Sequence, residues 1–274
     1  MDADRAKVLI GRLRETLARS VGVDTELAAL GQVQASQRRA SRELIPLTDH
    51  LRALILAMLA AHRPWRTIAR RLGQLELVFG LYKPDELEQL APQQLVVEVE
   101  ALGCGNARLG RQMESIRPNL ETMRRIERTF GCMDQFVECD SPDAVAQAFG
   151  RAGSSWKLRE VGPALALEYL KFVGIQTAKP DARVRRICGP GRLGLLDGPA
   201  TDEQVAAKLQ WCAEAAGVHP VAFENMLWLL GERDYGAICA SEPRCEACEL
   251  RRNCRFPLAR KLVQQSRRPV SLPS

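Results

Sequence analysis

No apolar run in this 274-residue sequence is long enough to span a bilayer. The longest, around Leu51–Ala61, is short and interrupted, which excludes a transmembrane helix. The N-terminal stretch MDADRAKVLIGRLRE carries early acidic residues and no apolar signal core, so no secretory leader is expected. Stretches of strand-type alternation are missing, as is any repeat of fixed period, which excludes sheet-based and solenoid folds. These absences point to a cytoplasmic protein whose cysteines stay reduced.

What is present is helical periodicity. A hydrophobic content of 46% and a charged content of 26% are those of a chain that can bury one large core or two modest ones. Residues 4–19 read as an amphipathic helix with Val8, Leu9, Leu13 and Leu17 on one face. QASQRRASREL (34–44) is polar and arginine-rich, a linker or an exposed helix. TDHLRALILAMLAAH (48–62) has Thr48 or Asp49 as a cap and an almost wholly apolar body, as a central core helix requires. Helix starts follow at Pro84 and at Ser141-Pro142-Asp143. The segment 96–131 gives two helices broken near Gly103–Asn106, with a kink or cap around Pro118. LREVGPALALEYLKFVG (158–174) is a short turn leading into an apolar helix. Helices at 179–189, 201–217 and 219–236 complete an all-α fold class. The net charge of +6, with 39 Lys and Arg, permits a polyanionic partner without requiring one.

Four of the nine cysteines lie within Cys239–Cys254, spaced C-x5-C-x2-C-x5-C: Cys239, Cys245, Cys248 and Cys254. Four thiolates can close a shell round one metal ion or ligate the irons of a cubane cluster. Structural zinc sites usually pair two close C-x2-C knuckles; here only the middle pair is close. The wide outer gaps favour a [4Fe-4S] cluster over zinc. Cys104, Cys132, Cys139, Cys188 and Cys212 are expected to be small buried hydrophobes.

GERDYGAICASEPRCEACELRRNC (231–254) resembles the cluster loop of the endonuclease III branch of the helix-hairpin-helix DNA glycosylases. That family's usual first gap is six residues, and here it is five. Other segments resemble the family in order: DRAKVLIGRLRE its N-terminal helix, LRALILAMLAAH the core helix beside the base pocket, LGCGNARLGRQM the turn, Asn and basic helix. LREVGPALALEYLKFVG falls at the hairpin and KPDARVRRIC at the catalytic aspartate. The likeness covers most of residues 4–258, with 20–45 as an insertion and the last sixteen or so as an unmatched tail.

The resemblance implies a role for each residue at a matching position. Asp181 matches the catalytic aspartate; a carboxylate there stabilises a cation-like sugar and orients or deprotonates a water. An ordinary N-cap is its other reading. The pattern L-P-G-V-G-R-K aligns with Leu158 to Ala164, so Ala164 stands at the lysine that gives bifunctional members their Schiff base. A monofunctional enzyme is therefore expected. Val161, Gly162 and Ala164 of the hairpin would face a DNA phosphate, with Glu160 where the family often has glycine and Pro163 lacking a donor. His62 stands where the branch has a glutamine near the extruded base, and Trp65 offers a stacking face. Termination of a helix and core packing are their other readings. Arg183, Arg185 and Arg186, with Arg251, Arg252 and Arg255, are phosphate-contact candidates against the alternative of a solvated surface.

The resemblance thus implies a two-lobed fold. Residues 1–45 pack with the cluster domain, 46–175 form the helical barrel with the hairpin, 176–262 form the iron–sulfur domain, and 263–274 are a tail. The function implied is a base-excision glycosylase acting on double-stranded DNA as a monomer, nucleoid-associated if bacterial. Its rival is a non-catalytic DNA lesion- or structure-binding protein with the same cluster.

Overall fold

A computed structural model describes residues 2–20, 31–61, 63–177 and 182–257. Every regular element among them is helical. No helix among them is long and apolar enough to cross a membrane. The chain divides into two compact units, Ala28–Thr177 and Met1–Leu27 with Ala178–Ser274.

The first unit comprises α2 (Gln32–Ala40), α3 (Leu47–Ala60), α4 (Trp65–Ala69), α5 (Leu72–Val78), α6 (Pro84–Gln89), α7 (Pro92–Ala101), α8 (Leu109–Phe130), α9 (Met133–Glu138), α10 (Pro142–Gly150) and α11 (Pro163–Phe172). Helix α3 is its centre, with His50, Leu51 and Ala53 through Leu59 all buried. A helix apolar on every side belongs in the interior. It packs against α11 and α8. Its N-cap is Pro46, without a side-chain cap. Asp49 lies instead in the first turn, where it accepts a 2.6 Å hydrogen bond from Arg38. Pro118 is accommodated inside α8 rather than ending it.

Helix α2 corrects the expected grouping of 1–45 with the cluster domain. It belongs to the 28–177 unit because the chain after α11 is built to receive it. Gly174 has φ +81°, and a Cβ there would come within 2.4 Å of the Ala35 backbone. Arg39 then bonds the Val173 carbonyl and pairs with Asp134 (2.6 Å) and Glu138 (2.5 Å).

The second unit comprises α1 (Ala3–Ser20), α12 (Ala182–Cys188), α13 (Asp202–Ala215) and α14 (Pro220–Gly231). Short 3-10 turns follow at Arg233–Tyr235, Cys245–Ala247 and Glu249–Arg252. Helix α1 buries Ala6, Leu9, Ile10, Leu13 and Leu17 against α13, α14 and the last of these turns. Val8, expected on that face, is 45% exposed. The buried stripe runs 6-9-10-13-17, and Val8 falls between its rows. Helix α13 opens on a capping box between Thr201 and Gln204.

Candidate metal centre and nucleic-acid interface

The chain leaves α14 through Gly236 (φ +96°) and Ala237 (φ +48°), which turn it back so that the Cys239 amide donates to the Leu230 carbonyl at 2.8 Å. The Arg244 amide bonds the Ile238 carbonyl (2.9 Å), and the Cys248 amide the Cys245 carbonyl (3.2 Å). Helix α1 grips the far end from one face. Arg12 bonds Asn253, Thr16 accepts the Glu249 amide at 3.0 Å, and Arg19 pairs with Glu249. Positions 12, 16 and 19 follow the i, i+4, i+7 rule of a helix face.

Within this loop Cys239 and Cys254 are buried, Cys245 and Cys248 half-buried. Burial pushes the Cys239 thiol up to about 12, while the Arg192 and Arg186 guanidiniums pull the other way. Cys248 and Cys254 are likewise raised, first by burial. Each thiolate also disfavours its neighbours: Cys254 and Cys248 act on Cys239, Cys245 on Cys254, and Cys254 and Cys245 on Cys248. Cys239, Cys248 and Cys254 each feel at least one other thiol of the loop. Among the described residues no group of three or more His, Cys, Asp or Glu closes round a single metal ion.

Two features fit an iron–sulfur cluster. The donor set is all thiol, with no imidazole or carboxylate, which suits a thiophilic guest. Two guanidinium groups beside the thiols also keep buried N–H groups without a partner, Arg186 Nε and Arg192 Nη1. Cations with buried, unpartnered N–H groups match a guest of net negative charge.

In the 28–177 unit, α10 packs along α11. Their crossing requires Gly150, where a Cβ would sit 2.3 Å from the Pro163 nitrogen. The connecting turn is held from α8 by Asn119, 1% exposed. Its side chain accepts the Arg159 amide at 2.6 Å and donates to the Arg159 carbonyl at 3.1 Å. Lys157 donates to the Leu158 carbonyl (2.8 Å) and to that of Val161. Glu160 adopts φ +58°, the left-handed region that glycine fills without strain. Its carboxylate lies 3.9 Å from both Arg108 and Arg111, and Oε2 is buried with no hydrogen-bond partner.

Val161 is buried, so its side chain supports the turn and does not meet a ligand. Gly162 is exposed; it caps α11 without a side-chain bond, and a Cβ there would meet nothing within 4 Å. Ala164 is exposed in the first helical turn. The amides of such a turn lack intrahelical acceptors and point outward, an arrangement that receives an anion.

His62 and Asp181 lie outside the described residues. Trp65 is corrected: it is 5% exposed and packs on Phe172, ring centroids 5.4 Å apart, because α4 inserts it into the core. It offers no stacking face to a base. Near Arg63 and Pro64, an open hollow of about 480 Å³ is lined also by Glu100, Gly105, Asn106 and Ala107. Asn106 is committed to structure there, donating to the Met58 and Leu59 carbonyls at the end of α3.

The arginines divide. Arg183 is corrected as a phosphate candidate, since its Nη2 is paired with Glu232 at 2.8 Å. Arg185 pairs with Asp202, and Arg186 donates to the Cys239 carbonyl at 3.3 Å. Arg251 and Arg252 are exposed in the Glu249–Arg252 turn. Of the five remaining cysteines, Cys104, Cys188 and Cys212 are buried as expected, but Cys139 is exposed and Cys132 half-buried. Both sit at ends of the short α9, outside its packed face.

Sequence reading missed Arg192 and Asn119. Both act on backbone groups distant in sequence, so no local spacing marks them. No protein-family model, no curated protein and no solved structure matches the chain.

Proposed function

We propose that this chain is a monofunctional DNA base-excision glycosylase of the helix-hairpin-helix class, resembling the endonuclease III branch and holding a 4Fe–4S cluster on Cys239, Cys245, Cys248 and Cys254. The observation that carries the reading is the α10–α11 hairpin: its turn holds a left-handed residue at 160 and ends on an uncapped helix N-terminus at Gly162. That reading takes the two units as the barrel and cluster lobes of the two-lobed fold. Its partner is double-stranded DNA, in the cytoplasm or at a bacterial nucleoid.

The amides at Gly162 and Ala164 bind a phosphate of the strand, and Arg251 and Arg252 add salt-sensitive contacts. The target base leaves the stack for a pocket beside the end of α3. The role proposed for the Asp181 carboxylate is to stabilise the positive charge that grows as the glycosidic bond breaks and to take a proton from the attacking water. Ala164 has no nucleophile, so the product is an abasic site with an intact strand. A bound cluster supplies charge and rigidity to the 239–254 loop, not glycosidic chemistry.

A second reading, a DNA lesion- or structure-binding protein without catalysis, is favoured by the buried Trp65 and by the Glu160 carboxylate in the phosphate-facing turn. Base release separates the two. Duplexes carrying deaminated, oxidised, alkylated, mismatched or naturally modified bases are incubated with the protein and with Asp181→Asn, and abasic sites are revealed by alkali. Release by the parent alone, with nicking only after alkali, is the expected result. Tight binding by both proteins without release from any duplex establishes the binding reading.

A further inference from the structure

Arg192 lies on the chain after α12, at a position to which the glycosylase resemblance assigns no role. Its residue is 7% exposed. Nη2 donates to two carbonyls at the start of the cysteine loop, Ala240 (3.2 Å) and Ser241 (2.9 Å). The guanidinium also stacks over the Phe256 ring, 3.9 Å from its centroid, and the Arg192 carbonyl accepts the Arg255 amide at 2.8 Å. One side chain thus spans both ends of the 239–254 loop.

This cation has no carboxylate partner among the described residues, and its Nη1 is buried with no acceptor. A buried charge without an opposite charge is strongly disfavoured. Neutral thiols do not supply that charge. Four thiolates do, and they outweigh the positive charge of an iron–sulfur core. The field of Arg192 acts on Cys239 and Cys254, the first and last ligands of the set.

We propose that Arg192 is a positioning residue for the iron–sulfur centre, the buried counter-charge that holds the loop closed on it and raises its reduction potential. The proposal rests on the cluster reading of the four cysteines. A positive charge beside the centre favours the form with one more electron, so its removal lowers the potential.

The full-length protein, Arg192→Lys and Arg192→Gln are reconstituted anaerobically with iron and sulfide. Iron and sulfide per chain, the visible absorption band, the potential by voltammetry and helicity by circular dichroism are then measured. Arg192→Lys keeps the charge and stays near the parent potential. Arg192→Gln lowers the reduced-to-oxidised ratio at the parent midpoint by about tenfold, ~59 mV for one electron. Failure of the glutamine variant alone to hold a cluster, with helicity retained, also supports the counter-charge. An unchanged potential in Arg192→Gln overturns the proposal. So does loss of the cluster in both variants, since packing and not charge is then what the loop needs. Parent protein that takes up no iron and sulfide overturns the cluster reading itself, and the inference with it, which tells the two failures apart.

Discussion

Glu160 concentrates the conflict at the residue scale. Its backbone does what glycine does at φ +58°, at a strain of about 1 kcal/mol for an L residue. Its carboxylate draws little return, because pairs at 3.9 Å with Arg108 and Arg111, 58% and 66% exposed, are screened. Glu160→Gly is therefore expected to raise stability by about 1 kcal/mol, read from urea unfolding. It also removes a negative charge from the hairpin turn. Binding to a short duplex should tighten, with a steeper dependence on salt as Arg108 and Arg111 turn to phosphates. Unchanged affinity together with raised stability would remove the turn from the DNA interface. Asn119 is the complementary case. Asn119→Ala leaves the Arg159 amide and carbonyl without their partner, an expected loss of about 2 kcal/mol. Denaturant titration checks that loss, and weaker duplex binding should accompany it.

At the scale of elements, α2, α3, α9 and α11 meet on a buried polar chain. His50 Nδ1 lies 2.6 Å from the Tyr169 hydroxyl, and its Nε2 3.1 Å from Asp134. Asp134 also takes Arg39 of α2. Burial holds His50 below the usual imidazole value, more than the Asp134 carboxylate raises it. Asp134 sits below the usual carboxylate value: burial pushes it up, but hydrogen bonds from His50 and the Ile45 amide and the charge of Arg39 outweigh that. A neutral buried His50 means that the unfolded chain binds a proton that the folded chain does not. Stability should thus fall as pH drops below about 6.5. The Asp134 contribution is present above about 3.9 and is lost as pH falls through its depressed folded value. Urea unfolding between pH 7.5 and 4 tests this, and His50→Phe should flatten its upper part. A profile unaltered by that substitution would show that other groups set the acid limb. This chain of polar groups was invisible in sequence, where His50 is one polar residue in an apolar run and Arg39 one of several arginines in 34–44. Element existence was readable because apolar spacing and Pro or Ser starts are local signals, as at Pro84 and Ser141. The placement of α2 was not, because it depends on Gly174 meeting Ala35 across 139 positions of sequence. The spacing of Cys239, Cys245, Cys248 and Cys254 was legible for the opposite reason, all four lying in one short loop. Trp65 was ambiguous because an aromatic after a helix end packs inward or stacks outward with the same neighbours in sequence.

Over the whole molecule, apolar burial is uneven. The 28–177 unit wraps a helix buried on every side, whereas between Ala240 and Asn253 only Leu250 is buried. A segment of that length with one interior side chain does not hold a fixed path by the hydrophobic effect. The clasp from α1 fixes its far end through Thr16 and Arg12, and Arg192 fixes its start. The stretch between them carries Cys245 and Cys248. If they ligate a cluster, binding free energy is ordering free energy for this loop. Trypsin reads the difference directly, because Arg244, Arg251 and Arg252 are exposed in it. Protein with its iron should resist cleavage at these sites. After chelation, or in Cys248→Ser, cleavage there should run about tenfold faster or more, since cutting follows local opening. Sites in the 28–177 unit, such as the exposed Arg151, should be cut at the same rate in both states, because that unit is compact by itself. Equal cleavage at Arg244, Arg251 and Arg252 with and without iron would mean that the thiols order nothing. Faster cleavage at Arg151 as well would mean that loss of iron unfolds the chain as a whole.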